Sequence, residues 1–199
     1  SYGVTGNKII VRPNAVDFTL FYQRNKIDMR KKHGLPLYKK LVIFVGRFVE
    51  NKGPLRFLEA VETLKNVGLI FVGSGEQKLS NEKILFIKAV KNDIVPELLS
   101  AADLFVLPTL HEGSCNAIIE AMSCGLPIVS SNIPEIHEQC NPSFSILVDP
   151  LNISAINKAI KEIINDNEKR LEMSNNALIH SKSFDLRERA QSIISFISS

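Results

Sequence analysis

Two glutamates separated by seven residues form the most informative pattern in the sequence. They are Glu112 and Glu120, in the stretch LHEGSCNAIIEAMSCG at residues 110–125. If a helix begins near Ser114, the N–H groups of residues 113–116 are unpaired and form an anion site. Eight residues then span roughly 12 Å, and eight steps of ~100° leave both carboxylates on about the same side. The pattern predicts a ligand with hydroxyls at both ends and phosphates between them, as in a nucleotide-sugar.

Ordinary structural roles for these two glutamates are the alternative. Glu112 could be a helix-start carboxylate that the helix dipole stabilises, and Glu120 could simply face solvent. However, Glu120 lies within the apolar stretch 117–122. A charged side chain in such a stretch is rarely without a role when the helix packs against a sheet. We therefore favour the ligand-binding interpretation.

Two cations near a second predicted helix start also indicate an anion. In GRFVENKGP, residues 46–54, Arg47 directly follows an apolar run and Lys52 precedes a helix whose first turn contains Pro54. Cations are mildly unfavourable at a helix N-terminus unless an anion lies between them. Arginine and lysine together suit phosphate oxygens, although two solvated surface residues are the alternative.

Other candidate motifs point to less specific roles. Gly73 and Gly75 lie in GSGE, but Lys78 stands where a dinucleotide fingerprint needs a third glycine, and no P-loop sequence occurs. The segment is therefore interpreted as an ordinary turn, which disfavours a Rossmann oxidoreductase. The four histidines share no spacing, and His111 is interpreted as a loop residue. The three cysteines lack CxxC spacing and are interpreted as reduced thiols, so no metal site is expected.

Short apolar runs alternate with amphipathic stretches along the whole chain. This alternation predicts one domain over residues 1–199, a doubly wound Rossmann-like α/β fold with about six parallel strands and helices on both faces. Ligands of such sheets bind at the carboxyl ends of the strands, where Arg47, Lys52 and Glu112 would lie. The candidate strands are residues 8–11, 41–45, 68–72, 84–87, 103–107, 127–130 and 144–148, and the candidate helices are 24–32, 53–65, 93–101, 114–124, 152–166, 168–181 and 185–197.

Charge and hydropathy exclude two classes of protein. The net charge of +3 is too small to indicate a nucleic-acid partner. No apolar run approaches the ~20 residues of a membrane-spanning helix. The basic stretch RNKIDMRKK, residues 24–32, is interpreted as a solvated helix face, with contact to an acidic surface or a lipid headgroup as the alternative.

Five landmarks in order resemble the retaining glycosyltransferases of the group 1 (family 4) class, which have the GT-B architecture of two Rossmann-like domains. The landmarks are RPNAVD (12–17), GRFVENKG (46–53), VGSGE (72–76), AADLFVLPT (101–109) and EGSCNAIIEAMSCGLPIVSSNIPEI (112–136). The departures are Ala15, where the family usually has glycine, residues 114–116, which replace a frequent F-G pair, and residues 86–93, which lack a glycine often found where the base is bound. The base is therefore not identified by residues, and UDP is expected from family frequency alone.

The resemblance implies a role for each matching residue. Glu112 would contact the donor sugar and position it, and Glu120 would hold the ribose. Arg47 and Lys52 would bind the diphosphate and stabilise the departing nucleotide electrostatically, without a metal or another cofactor. The catalytic residues are then Glu112, Arg47 and Lys52, and the donor-binding residues are Glu120, Gly46, Gly73, Gly113, Ser114, Cys115, Asn116 and Asn14.

The resemblance also implies a reaction and its partners. The chain would be the C-terminal, donor-binding half of a GT-B enzyme that transfers a sugar from a nucleotide-diphosphate sugar with retention of anomeric configuration. An N-terminal domain that binds a sugar or lipid-linked acceptor would be absent from this chain, so that the chain alone would transfer little. The expected location is cytoplasmic, with peripheral contact at the cytoplasmic membrane face as a further expectation. The alternatives are a GT-B nucleotide-sugar epimerase and a non-catalytic nucleotide-sugar binding module.

Overall fold

The computed structural model describes residue 9 and residues 13–198. The strand predicted at 8–11 lies outside the described residues except for Ile9, which is exposed and not in a strand. Arg12, the first residue of the RPNAVD landmark, also lies outside them.

Six parallel strands in the described ranges form one sheet in the order β3-β2-β1-β4-β5-β6. This order places the switch point of the sheet between β1 and β4, where ligands of doubly wound folds bind. The prediction of a doubly wound Rossmann-like sheet with about six strands is confirmed. The strands are β1 Lys40–Val45, β2 Val67–Val72, β3 Ile84–Lys88, β4 Leu104–Leu107, β5 Ile128–Ser131 and β6 Ser145–Val148.

The central strands are buried because helices cover both faces of the sheet. All residues of β2, β4 and β5 are buried, which explains why β2 and β4 are apolar without alternation. The two buried serines that end β5 donate to the carbonyls of Leu107 and Thr109. Strand β3 lies at an edge, and its Leu85 and Ile87 are exposed. Helix α1 packs against α3, α2 against α6, and α4 against α7. The helices are α1 Lys26–Lys32, α2 Pro54–Ala60, α3 Val95–Ala101, α4 Asn116–Ser123, α5 Pro134–His137, α6 Ile153–Asn165, α7 Asn167–Ser181 and α8 Leu186–Ile197.

Four helix predictions are wrong by two or more residues at one end. The helices predicted at 24–32 and 93–101 begin two residues later, at Lys26 and Val95. The helix predicted at 53–65 ends at Ala60, because the N–H groups of Glu62 and Leu64 bond to carbonyls three residues back and form tight turns. The helix predicted from Ser114 begins at Asn116. The short helix α5 and a 3-10 turn at Glu50–Lys52 were not predicted. Within the described ranges, no helix has both the length and the apolar character that crossing a membrane requires.

Candidate functional site

Three predicted site loops lie at the carboxyl ends of neighbouring strands. The chain leaves β1 toward Arg47, β2 toward Gly73 and β4 toward Glu112. The first two loops are joined by backbone hydrogen bonds, because Gly46 N–H donates to the carbonyl of Val72 at 3.0 Å and Phe48 N–H to that of Ser74 at 2.9 Å. The parallel sheet therefore brings residues from distant parts of the sequence to one edge.

Gly73 and Gly75 are required by the way these two loops pack together. Gly73 has a φ of 145°, and a Cβ there would lie 1.9 Å from the carbonyl oxygen of Gly46. A Cβ at Gly75 would lie 2.3 Å from the carbonyl oxygen of Phe48. Side chains at either position would force the loops apart. This packing explains Gly73 and Gly75 without a ligand, whereas a Cβ at Gly46 would meet its nearest atom, in Phe44, at an ordinary 3.5 Å. The roles predicted for Gly46 and Gly73 in donor binding stay predictions.

Lys52 and Glu112 form an ion pair between two of the loops. The distance from Lys52 Nζ to Glu112 Oε1 is 2.6 Å, and the Glu112 side chain is only 6% exposed, against 24% for Lys52. Lys52 ends the 3-10 turn, and Gly53 then adopts a left-handed φ of 71° before α2 begins. Thr109 Oγ1 donates to the carbonyl of Asn51 or that of His111, both 3.1 Å away. The loop of Lys52 and the loop of Glu112 are therefore both fixed by backbone structure and by the Thr109 hydroxyl.

Arg47 differs from its neighbour Arg56 in having a free guanidinium. Arg47 is exposed, and no described residue bonds to its side chain. Arg56 is buried, pairs with the Glu50 carboxylate and donates to the carbonyls of Glu50 at 2.9 Å and Pro108 at 3.0 Å. Arg56 thus fixes the turn that carries Lys52, whereas Arg47 is available to an anion.

The loop before α4 is held by two amide side chains. Asn14 Nδ2 lies 3.2 Å from the carbonyl of Ser114 and 2.8 Å from Asn116 Oδ1, while the Asn14 N–H donates to Ser114 Oγ at 3.1 Å. Buried Gln139 accepts a hydrogen bond from the Cys115 N–H at 3.0 Å and donates to Ser114 Oγ at 3.1 Å. The expectation that the Cys115 N–H is unpaired is therefore wrong, because Gln139 occupies it.

Glu120 lies in α4 and is partly buried. Burial raises the pKa of its carboxyl from the usual 4.5 to about 7. No described residue bonds to this carboxyl, so Glu120 neither faces solvent fully nor has a structural partner. Only the last four of the eight steps from Glu112 to Glu120 are helical, because α4 begins at Asn116. The separation of roughly 12 Å that was expected for a continuous helix does not apply.

Packing does not explain Gly113. A Cβ there would meet no atom within 4 Å, and its φ lies outside the left-handed region. Gly113 is exposed and directly follows Glu112, the partner of Lys52. A ligand can approach the backbone at this position.

Metal ligands and reactive thiols do not gather at this edge. Residue 9 and residues 13–198 contain no group of three or more His, Cys, Asp or Glu side chains that could hold a metal ion. Cys115, Cys124 and Cys140 are free and buried, and burial raises the pKa of each thiol to about 12. These thiols are therefore poor nucleophiles and metal ligands.

Sequence reasoning missed the residues that support the site. Gln139, Thr109 and Arg56 are buried polar side chains whose partners lie on other loops. The sequence offered little signal for Gln139, because it follows the polar residues His137 and Glu138, which are exposed, although Gln139 itself is buried. Burial of a polar residue indicates a hydrogen-bonded group but does not identify its partner.

Comparison with known proteins gives related sequences for most of the chain. The chain is 33% identical over 141 residues to TuaC of Bacillus subtilis, a glycosyltransferase named for teichuronic acid biosynthesis, covering 69% of this chain and 36% of the relative. It is 40% identical over 144 residues to the Escherichia coli UDP-Gal:alpha-D-GlcNAc-diphosphoundecaprenol alpha-1,3-galactosyltransferase, covering 63% and 37%. The chain therefore matches little more than a third of each relative's length.

The fold is also found in solved structures. HepE from Anabaena, crystallised with UDP-glucose, aligns with a TM-score of 0.82 at 23% identity over 92% of this chain and 56% of HepE. The chain thus has the fold of one Rossmann-like half of a GT-B glycosyltransferase. The sequence profile described as glycosyl transferases group 1 matches residues 25–179. Since this match covers well over half of the chain, the protein belongs to the glycosyl transferases group 1 family.

Proposed function

We propose that this chain binds a nucleoside-diphosphate sugar at the carboxyl edge of its sheet and supplies the donor site of a retaining glycosyltransferase. The observation that carries the proposal is the Lys52–Glu112 pair, which joins two loops and lies on the same edge as the unpaired guanidinium of Arg47. The two cations suit the diphosphate of such a ligand, and the carboxylate suits its sugar hydroxyls.

The diphosphate would bind between the two cations. Arg47 can donate to phosphate oxygens through its planar set of N–H groups. The Lys52 ammonium can donate to a phosphate oxygen with one N–H while another stays bonded to Glu112. As the bond between the sugar carbon and the phosphate oxygen breaks, negative charge grows on the departing nucleotide. Two fixed cations stabilise that charge without a metal ion. The oxygen of the acceptor hydroxyl would then bond to the sugar carbon on the same face, and its proton would pass to the departing phosphate oxygen.

The two carboxylates would hold the hydroxyl groups at the ends of the donor. Glu112 can accept hydrogen bonds from the sugar, and Glu120 from the ribose. The N–H groups of Gly113, Ser114 and Asn116 remain for the phosphates and the sugar, because only the Cys115 N–H is bound to Gln139. A uridine base is favoured because HepE was crystallised with UDP-glucose and the E. coli relative is named for UDP-Gal.

The acceptor would be bound mainly by a separate N-terminal domain. The relatives are much longer than the segment that matches this chain, and transfer needs donor and acceptor to be held together. The 199-residue chain is then expected to bind donor and to transfer little by itself. The acceptor class would be a sugar or a lipid-linked sugar, as in the name of the E. coli relative, at the cytoplasmic face of a membrane.

The test is calorimetric titration of the chain with UDP, GDP and ADP, with and without EDTA. We expect one nucleotide to bind, with equal affinity in EDTA. Arg47→Ala/Lys52→Ala should weaken binding by at least about 100-fold, since it removes two charged groups whose hydrogen bonds contribute about 1.5–3 kcal/mol each. Glu120→Ala should also weaken it. Matched exposed controls are Lys161→Ala and Glu172→Ala.

Three results would count against the proposal. If the site variants and the control variants weakened nucleotide binding equally, the assignment of the site would be refuted. Binding abolished by EDTA would refute the metal-free mechanism. Conversion of a bound UDP-sugar to its epimer would favour an epimerase over a transferase.

A further inference from the structure

The positive charge of the protein is concentrated in one short segment. Residues 24–40 contain seven Lys or Arg and one Asp, a net charge of +6. The remaining 182 residues contain 17 basic and 20 acidic residues, a net charge of −3. This segment comprises α1 and the loop that leads into β1, so one region of a nearly neutral protein is strongly basic.

Exposed apolar side chains lie among these charges. Tyr38 is 84% exposed, and Leu37 and Ile27 are 53% exposed each. Ile27 and Lys31 are four residues apart on α1 and therefore lie on the same helix face. We call Ile27, Lys31, Leu37, Tyr38 and Lys39 the basic–aromatic patch.

A buried ion pair holds the loop of the patch against α1. Arg30 donates to the carbonyls of Leu37 at 3.2 Å and Lys39 at 3.1 Å, and to Asp103 at 2.6 Å. Arg30 and Asp103 are each about 95% buried at the side chain. Asp103 also accepts from the Leu41 N–H at 2.8 Å. The backbone carbonyls of Leu37 and Lys39 therefore face Arg30, and the side chains of Leu37 and Tyr38 are exposed, whereas Leu35 packs into the core.

Acidic groups near the patch include Glu62 and Glu82, which line the same surface depression as Lys39 together with Lys65 and Lys83. Two other carboxylates nearby are neutralised by ion pairs. Glu97 pairs with Lys32 at 2.7 Å and with His33 at 2.9 Å, and Asp103 pairs with Lys26 and Arg30. Asp28 is the remaining carboxylate of α1. The side chains of Lys31 and Lys39 have no bonded partner among the described residues. They are available to an external anion.

We propose that the basic–aromatic patch docks the protein onto an anionic lipid surface. Lys31 and Lys39 would face the headgroups, and Leu37 and Tyr38 would enter the interface between headgroups and acyl chains. The combination of lysines with an exposed tyrosine and an exposed aliphatic residue is suited to that interface, where the polar end of each side chain stays wet.

The patch and the donor site lie at opposite ends of β1. Lys39 precedes the strand and Arg47 follows it. A six-residue strand is roughly 20 Å long, so the carboxyl edge of the sheet points away from the docked surface. The donor site would thus stay open to nucleotide-sugar from solution while the protein is bound to lipid.

Sedimentation with lipid vesicles tests the proposal. The 199-residue chain should bind vesicles of 30% phosphatidylglycerol in phosphatidylcholine, and bind pure phosphatidylcholine much more weakly. Binding should weaken strongly at 0.5 M salt because screening shortens the range of the charges. Each basic residue near an anionic surface contributes a factor of about five, so Lys31→Glu/Lys39→Glu should lose at least about 25-fold. Lys158→Glu/Lys161→Glu, exposed on α6, makes the same change in net charge and should lose much less.

An apolar pair tests the insertion part of the proposal. Leu37→Ser/Tyr38→Ser should reduce the binding that remains at high salt, whereas Leu151→Ser/Ile179→Ser, also exposed, should not. Equal binding to both lipid compositions, equal loss in both charge variants, or no vesicle binding at all would overturn the proposal. An unchanged Leu37→Ser/Tyr38→Ser variant would overturn insertion of these side chains.

The donor site gives an independent readout. Both patch variants should bind nucleotide like the wild type, because the patch lies at the other end of β1. A chain that binds nucleotide but no vesicles would refute the lipid surface and leave the donor site unaffected. A chain that binds vesicles but no nucleotide would refute the donor site and leave the lipid surface unaffected.

Discussion

Replacing Glu120 with glutamine should stabilise the unliganded protein and weaken nucleotide binding at the same time. Burial raises the pKa of this carboxyl from 4.5 to about 7. The carboxylate form is therefore the less favourable one in the folded protein. A side chain that needs its charge for a ligand, and has no partner without it, reduces stability until the ligand arrives.

The sign and size of the effect follow from the two pKa values. Because the folded-state pKa is the higher one, the folded protein binds the proton more tightly, and Glu120 contributes most stability below pH 4.5. That contribution is lost as the pH rises to about 7. The difference between 4.5 and about 7 corresponds to roughly 3 kcal/mol at ~1.4 kcal/mol per pH unit. At pH 8 the Glu120→Gln variant should be more stable than the wild type by up to about this amount.

Urea unfolding at pH 5.5 and pH 8 measures the effect. The wild type should lose stability between these pH values relative to Glu120→Gln, and the comparison cancels the groups that titrate in both proteins. Glu172→Gln, exposed on α7, is the matched control and should follow the wild type. Calorimetry at pH 8 should show weaker nucleotide binding for Glu120→Gln alone. Identical pH dependence in wild type and Glu120→Gln would refute the reasoning.

Four further substitutions differ in their expected effects on nucleotide binding and on stability. Gly113→Ala should leave the melting temperature unchanged, because a Cβ there meets nothing, and should weaken nucleotide binding, whereas Gly75→Ala should lower the melting temperature. Gln139→Leu should lower the free energy of unfolding by about 1–3 kcal/mol, since the Cys115 N–H loses its acceptor. The variant should also bind nucleotide more weakly, and an unchanged affinity in calorimetry would contradict that second expectation. Asp103→Ala should lower the free energy of unfolding by about 3–5 kcal/mol in urea, because buried Arg30 loses its partner, while the affinity for nucleotide stays that of the wild type.

The sheet and the position of the site could be predicted because both depend on local patterns. Apolar runs of four or five residues without alternation indicate strands buried on both faces, and the parallel order then places the residues after each strand at one edge. Arg47, Lys52 and Glu112 were predicted in this way, and the structure places all three after β1 or β4. Their roles in catalysis remain predictions.

The hydrogen bonds that shape the site could not be predicted because they join distant residues. Asn14 was assigned to the donor, yet its side chain bonds to Ser114 and Asn116 about 100 residues away. Gln139 was not considered at all, although it occupies the Cys115 N–H. A periodic pattern specifies which face of an element is buried, but it does not specify which buried donor meets which acceptor.

The Lys52–Glu112 pair explains how a buried carboxylate can stay charged and correctly positioned before a ligand binds. A carboxylate that is only 6% exposed would be costly if it stood alone, and Lys52 compensates its charge. In the proposed complex the diphosphate takes over part of the charge of Lys52, and the sugar hydroxyls donate to Glu112. Each partner of the ion pair thus exchanges one interaction for another, so little reorganisation is needed when the donor binds. Glu120 has no such partner, which is why the effect of the empty site on stability should be concentrated there.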